Sequence, residues 1–330
     1  MLNTGSNIST NDTQAGYASY VHTRVISEQR NRSPKPRYTR SERADFKRDT
    51  KQTLQKLALQ IGNKDLADKV CRCYANVTAI TCGKHVAKLI PDYTCGFRLC
   101  PDCARRRSSK VLRKYLPAVV AFPAVSNTQA VHLVLTQAHK VETLREAVKR
   151  LTAHFKTLRR RPFWNKHFKG GMFAVEFTIG KDGLYHAHLH ILAFRTRFFD
   201  VQDLKDLWFE ITGDSTNLRL DRIKGDIREG LREVLKYAVK PASIADFTPA
   251  HLTDFLAMKN QRLFGTFGEF QKFARDYTPE ADVVASLFPL TMTHVGGPCS
   301  DCGNPLFDVR LKGSELPAFL ARCGASPLIE

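Results

Sequence analysis

A chain of 330 residues, 43% of them hydrophobic, holds enough apolar material for a full core of one or two domains. Its formal net charge of +19 and pI near 9.7 point to a polyanionic partner, nucleic acid first. The polar start, Met1 to Tyr20, lacks the apolar run of a signal peptide, and the most apolar stretch, Tyr115 to Val125, is short and contains Pro117 and Pro123, so a cytoplasmic protein without a membrane partner is expected.

Residues 1–45 are rich in Ser, Thr, Asn and Arg with few large apolar side chains, and read as a disordered basic arm. Residues 46–125 form a Cys-rich, Arg-rich segment expected to bind zinc and contact DNA. In a reducing compartment the nine cysteines are better read as metal ligands than as disulfides. Cys95-x4-Cys100-x2-Cys103 supplies three thiolates of a tetrahedral zinc site, with Cys82 taken as the fourth ligand and Cys73 and His85 as alternatives. Arg98 and the run Arg105, Arg106 and Arg107 are the matching candidates for phosphate contact.

From 126 to 275 the apolar period switches repeatedly. Val131, Leu133 and Leu135 alternate as on a strand, and Leu144, Val148, Leu151, Phe155 and Leu158 recur as on a helix face. Two strands follow, Met172 to Ile179 and His186 to Phe194, across a turn containing Gly180 and Gly183; then a helix through Leu204 and Trp208, a strand from Asn217 to Ile223, and a helix from Asp226 to Lys240. The order β-α-β-β-α-β-α predicts an α+β fold of the ferredoxin-like class, an antiparallel sheet with helices on one face. From 276 to 330 the periodicity fades. Cys299, Cys302 and Cys323, with His294, are candidates for a second zinc site.

On the strand from His186 to Phe194 side chains alternate, so His186, His188 and His190 share one face, opposite Ala187, Leu189 and Ile191. Imidazoles at that spacing converge on a metal ion. Glu176, the only carboxylate of the preceding strand, joins them if the register sets it opposite His188; a one-residue slip turns it away. On the helix from Asp226, the apolar stripe takes Ile227, Leu231, Val234, Leu235 and Ala238. Glu233 and Tyr237 lie off it one turn apart, and Lys236 and Lys240 stand close enough to stabilise a phenolate or polarise a phosphate.

These stretches, with the strand His132-Leu-Val-Leu-Thr136 and the segments Leu207 to Gly213 and Arg262 to Gly265, resemble plasmid rolling-circle replication initiators of the Gram-positive type, within the HUH endonucleases; the resemblance covers roughly Cys95 to Phe270. It implies an RRM-like nuclease domain. In it His188 and His190 would hold Mg2+ or Mn2+, and Tyr237 would attack the scissile phosphate of plasmid or small-phage origin DNA, single-stranded or supercoiled. The products would be a 5′-phosphotyrosine and a free 3′-OH for host polymerase, with a host helicase as further partner. The resemblance also implies that Glu233 activates water at termination. A zinc-containing DNA-binding regulator without chemistry would leave the histidine strand and the Glu233–Tyr237 face unexplained. Typical relaxases place the tyrosine before the histidines; single-tyrosine transposases share the order found here but are typically shorter and lack the Cys-rich segment.

Overall fold

The computed structural model describes residues 40–138, 143–223, 226–228, 230–232, 234, 244–258, 260–279, 295–299 and 301–323. Nearly all of the stretch read as a basic arm lies outside them.

Two helices open the described chain, α1 (Arg40–Gln60) and α2 (Lys64–Arg72), the latter capped by the Asn63 side chain, which accepts from the Leu66 N–H. Leu54, Leu57 and Val70 enter the same apolar core as the central sheet. A hairpin, β1 (Asn76–Thr81) and β2 (Val86–Pro91), follows, and then α3 (Pro101–Ser126). Pro101 begins α3 where a missing N–H costs nothing, but Pro117 and Pro123 sit inside it and the helix runs on through both. An interior proline costs about 3 kcal/mol. Burial of Leu116, Val119 and Phe122, with Phe122 stacked edge-on against Phe194 (4.8 Å) and Phe270 (5.3 Å), offsets that cost.

The central part runs β3 (Gln129–Thr136), α4 (Leu144–Leu158), α5 (Pro162–His167), β4 (Phe168–Ile179), β5 (Tyr185–Arg195), α6 (Val201–Thr212), β6 (Leu218–Arg222), α7 (Pro249–Ala257), β7 (Phe264–Phe267) and α8 (Gly268–Asp276). Its five strands form an antiparallel sheet of order β6-β3-β5-β4-β7. The strands and helices read from apolar periodicity between 131 and 222 are all present, with ends shifted by one to four residues.

Strand alternation gives the sheet two different faces. Val131, Leu133, Leu135, Val175, Ala187, Leu189 and Ile191 form one wholly apolar face, packed with Leu151 and Phe155 of α4 and Trp208 of α6. The other face is split along the strands. Its apolar half, with Met172, Ala174, Leu192 and Phe194, is covered by α3 and α8 through Leu116, Phe122 and Phe270. Its polar half carries Glu176, His132 and the β5 histidines. Helices therefore lie on both faces, and the expectation of one covered face is corrected: the apolar half of the second face needed a lid, which came from the proline-containing segment before the sheet.

Register between β4 and β5 is set at both ends. At the turn, Gly183 takes φ 78°, the Gly180 N–H bonds to the Leu184 carbonyl (2.9 Å), and the Asp182 carboxylate accepts from the Leu184 N–H (3.0 Å). At the far end a Cβ on Gly171 would lie 2.1 Å from the Leu192 carbonyl oxygen, so only glycine allows the strands to pass there.

A second sheet, order β2-β1-β8, is completed by β8 (Phe307–Lys312), which pairs antiparallel with β1 from Asn76↔Lys312 to Thr81↔Phe307 and is followed by α9 (Leu316–Arg322). The sequence showed no periodicity here because β8 buries only Leu311. Among the described residues no helix is long and apolar enough to cross a membrane.

Candidate active site and metal centres

The β4–β5 register places Glu176 directly opposite His188, and β3 places Thr136 opposite His188 on its other side. Glu176 Oε2 lies 2.9 Å from His190 Nε2. The carboxylate and the two imidazoles therefore share one patch of one sheet face. His188 Nδ1 is 3.2 Å from Thr136 Oγ1, and His190 Nδ1 is 3.3 Å from His132 Nε2, with those two rings stacked at 5.5 Å. His186 stacks on His188 at 6.3 Å nearer the turn. Burial pushes His188 below its ordinary value, which keeps its imidazole neutral near pH 7 and able to bind a cation. His190 and Glu176 are in direct contact, and each imidazole is steadied through a ring nitrogen, but the three groups are not gathered around one point as the cysteines described below are.

His132 and Thr136 were not singled out as site residues. The available signal was the alternation of His132, Val134 and Thr136 on β3, the same period of two that marked β5.

After β6 the chain turns helical: Ile227, Arg228, Gly230, Leu231, Arg232 and Val234 have helical conformation. Leu231 and Val234 are fully buried with Met172, Ala174 and Leu192, on the face that carries the histidines. Glu233, Lys236, Tyr237 and Lys240 lie outside the described residues.

The cysteines fall into two groups, each able to hold a metal ion. Cys73, Cys95, Cys100 and Cys103 form the first. Cys73 Sγ and Cys95 Sγ each lie 3.5 Å from Cys103 Sγ, and Cys100 Sγ is 3.7 Å from Cys73 Sγ. Four sulphurs about 2.3 Å from a tetrahedral zinc ion stand about 3.8 Å apart, close to this spacing. Cys73 is therefore the fourth member, in place of Cys82. It ends α2, and Tyr74 at φ 57° reverses the chain there, a fold-back that sequence spacing does not reveal. Contacts from Cys100, Cys73 and Cys95 hold the Cys103 thiol well below its ordinary range, while Cys100 pushes Cys95 up and Cys103 pushes Cys100 up. One thiolate among thiols must shed protons to take a cation. Lys51 donates to the Cys73 carbonyl, and Lys47 pairs with the buried Asp102 beside Cys103 at 2.9 Å, so α1 is tied to the cysteine group. Cys100→Ser is expected to remove about one equivalent of bound zinc and to unfold the surrounding loop, which metal analysis and limited proteolysis would register.

The second group is Cys82, His85, Cys299 and Cys302. Cys323, proposed as a ligand, instead donates from Sγ to the Gly83 carbonyl (3.4 Å) and packs with Ala79 and Phe319. The expected set is corrected accordingly, since pairing of β8 with β1 brings the tail to the Cys82 turn; His294 lies outside the described residues. Burial pushes the Cys82 thiol up, but the N–H groups of Lys84 and His85 outweigh it and bring it down to about 6.

Of the arginines, Arg107 donates to the Gly96 carbonyl (3.0 Å) and Arg106 to Thr94 Oγ1 (3.5 Å), bracing the loop that carries Cys95. Arg98 reaches the Gln261 carbonyl (3.3 Å), and Arg105 is exposed on the first turns of α3.

Residues 86–287, more than half of the chain, match a family described as replication protein. The chain belongs to that family. A relative named "Protein rep", from Lactiplantibacillus plantarum, is 34% identical over 116 residues, 34% of this chain and 36% of the relative, so the match spans about a third of the relative's length. No solved structure matches. The family match of this replication protein takes in Cys95, Cys100, Cys103, the histidine face and residues 233–240. It begins after His85 and ends before Cys299, leaving the second cysteine group outside.

Proposed function

We propose that this replication protein is a plasmid or small-phage replication initiator that nicks one strand of origin DNA. The observation that carries the reading is the Glu176 carboxylate against His190 and opposite His188 on one rigid sheet face. Sheet order supports it: β6-β3-β5-β4 is the order of a ferredoxin-like sheet, here extended by β7. So does the burial of Leu231 and Val234 on the histidine face, because they stand only a few residues before Tyr237 in the chain.

In this reading His188, His190 and Glu176 hold Mg2+ or Mn2+, which when bound polarises the scissile phosphate. The Tyr237 phenolate oxygen forms a bond to phosphorus while the bond from phosphorus to the 3′ oxygen breaks. That oxygen takes a proton and becomes the 3′-OH primer for polymerase, and the 5′ phosphate stays on the tyrosine. His132 and Thr136 position the imidazoles. Lys236 and Lys240 support the phenolate and the phosphate, and Arg105 with its neighbours adds sequence-independent affinity for DNA. A regulator without chemistry would account for the charge and the cysteines but gives no reason for a carboxylate set among buried histidines.

The test incubates purified protein with supercoiled DNA bearing the gene's own flanking sequence and Mg2+ or Mn2+. Nicked circles with protein linked to the 5′ end are expected; intact DNA with both metals would refute the reading. In the same assay Glu233→Ala is expected to nick at close to the wild-type rate yet accumulate the covalent adduct, because only the later hydrolysis needs a carboxylate to activate water. Normal release by that variant would remove Glu233 from the mechanism alone.

A further inference from the structure

The turns that carry Cys82 with His85 and Cys299 with Cys302 face each other, and each is closed by its own hydrogen bonds. Between β1 and β2 the Cys82 N–H bonds to the His85 carbonyl (3.1 Å), and the His85 N–H points back at Cys82 Sγ (3.2 Å). Before β8 the Cys299 N–H bonds to the Asn304 carbonyl and the Gly303 N–H to the Cys299 carbonyl, both at 2.7 Å, with Gly303 at φ 72°. Each turn thus presents two ligands three residues apart from a closed loop at the end of a strand. Across the gap Cys82 Sγ lies 3.6 Å from Cys302 Sγ, and His85 Nδ1 lies 3.6 Å from both Cys82 Sγ and Cys299 Sγ. Ligands at tetrahedral angles around zinc, with zinc–sulphur near 2.3 Å and zinc–nitrogen near 2.05 Å, give sulphur–sulphur and sulphur–nitrogen separations of about 3.8 and 3.6 Å.

The unit around these turns has little else to hold it. Its buried apolar residues, among the described ones, are Val77, Ala79, Val86, Leu311 and Phe319 on one side of the small sheet and Ile80 and Leu306 on the other. A core of that size does not stabilise a three-stranded sheet, and small units of this kind are completed by a metal.

We propose that Cys82, His85, Cys299 and Cys302 bind a second zinc ion, separate from the Cys73 group, whose function is to close the β2-β1-β8 unit by joining the 82–85 turn to the 299–302 turn. Three sulphurs and one imidazole fill a tetrahedral zinc and leave no position for substrate, so the site is structural. It stands apart from the nicking reading.

The experiment uses the full chain and measures metal content. Wild-type protein is expected to hold about two equivalents of zinc, and Cys302→Ser and His85→Ala about one each. Cys302 is exposed, so its serine variant disturbs no packed core. Hydrogen exchange in that variant should show lost protection at 307–312 and unchanged protection at 131–135. Retention of about two equivalents by both variants would overturn the proposal. So would a wild-type content of about one equivalent that Cys100→Ser removes completely. Should the serine variant precipitate, wild-type protein reconstituted with Co2+ answers the same question. Sites with four and with three sulphurs give separable ligand-field bands, and a single four-sulphur band would refute the second site.

Discussion

Tyr237→Phe is expected to fold and to bind origin DNA as the wild type does, and to form no covalent adduct. The substitution removes one oxygen and keeps the ring, so any packing of the aromatic body is preserved while the attacking atom is gone. DNA affinity rests on the basic surface and should not change. Trapping the adduct of the wild type on single-stranded origin DNA and mapping the linked peptide by mass decides the site. Attachment at Tyr185 or Tyr277 would overturn the assignment. Tyr185 is a poor nucleophile on structural grounds: burial, with its hydroxyl donated to Asp254 at 2.9 Å, pushes its phenol well above the ordinary tyrosine value.

His190→Ala should lower metal-dependent nicking by at least about a hundredfold, equivalent to about 3 kcal/mol of lost transition-state stabilisation. His190 is the centre of the polar patch, since it touches both Glu176 and His132. His132→Ala, which removes only the steadying contact, should weaken Mn2+ affinity by about ten- to a hundredfold while excess Mn2+ restores the rate. Metal titrations of the nicking rate separate the two behaviours. Equal activity of His190→Ala and wild type at every Mn2+ concentration would dismiss the patch as a metal site.

Much of this patch was legible because strands have a period of two. Once His186, His188 and His190 were read as one face, and Glu176 as the carboxylate of the adjoining strand, a single register decided whether they met; the turn around Gly183 supplied it. The helices of the central part were equally plain, their stripes being long and apolar. What failed to show was information carried by distant contacts. Cys73 joins the first sulphur group through a chain reversal at Tyr74, and Cys82 meets Cys299 and Cys302 only because β8 returns to β1. α3 was obscured for another reason, since two prolines normally end a helix and here tertiary burial overrides them. The spacing Cys82-x2-His85 against Cys299-x2-Cys302 was in the sequence, but the gap between the halves hid their pairing.

The central position of β1 in the small sheet also sets an order of events during synthesis. β2 can pair with β1 within a few residues of its appearance, but the other edge of β1 is matched by β8, whose last partner, Lys312, pairs with Asn76. Between those moments the whole central sheet has been made, and it can fold while β1 still offers an unsatisfied row of backbone groups. The small sheet is therefore the last piece to form, with a very high contact order for so small a unit. Any chain halted before residue 312 would carry a finished central sheet beside an open strand edge, a state prone to pairing with its own copies.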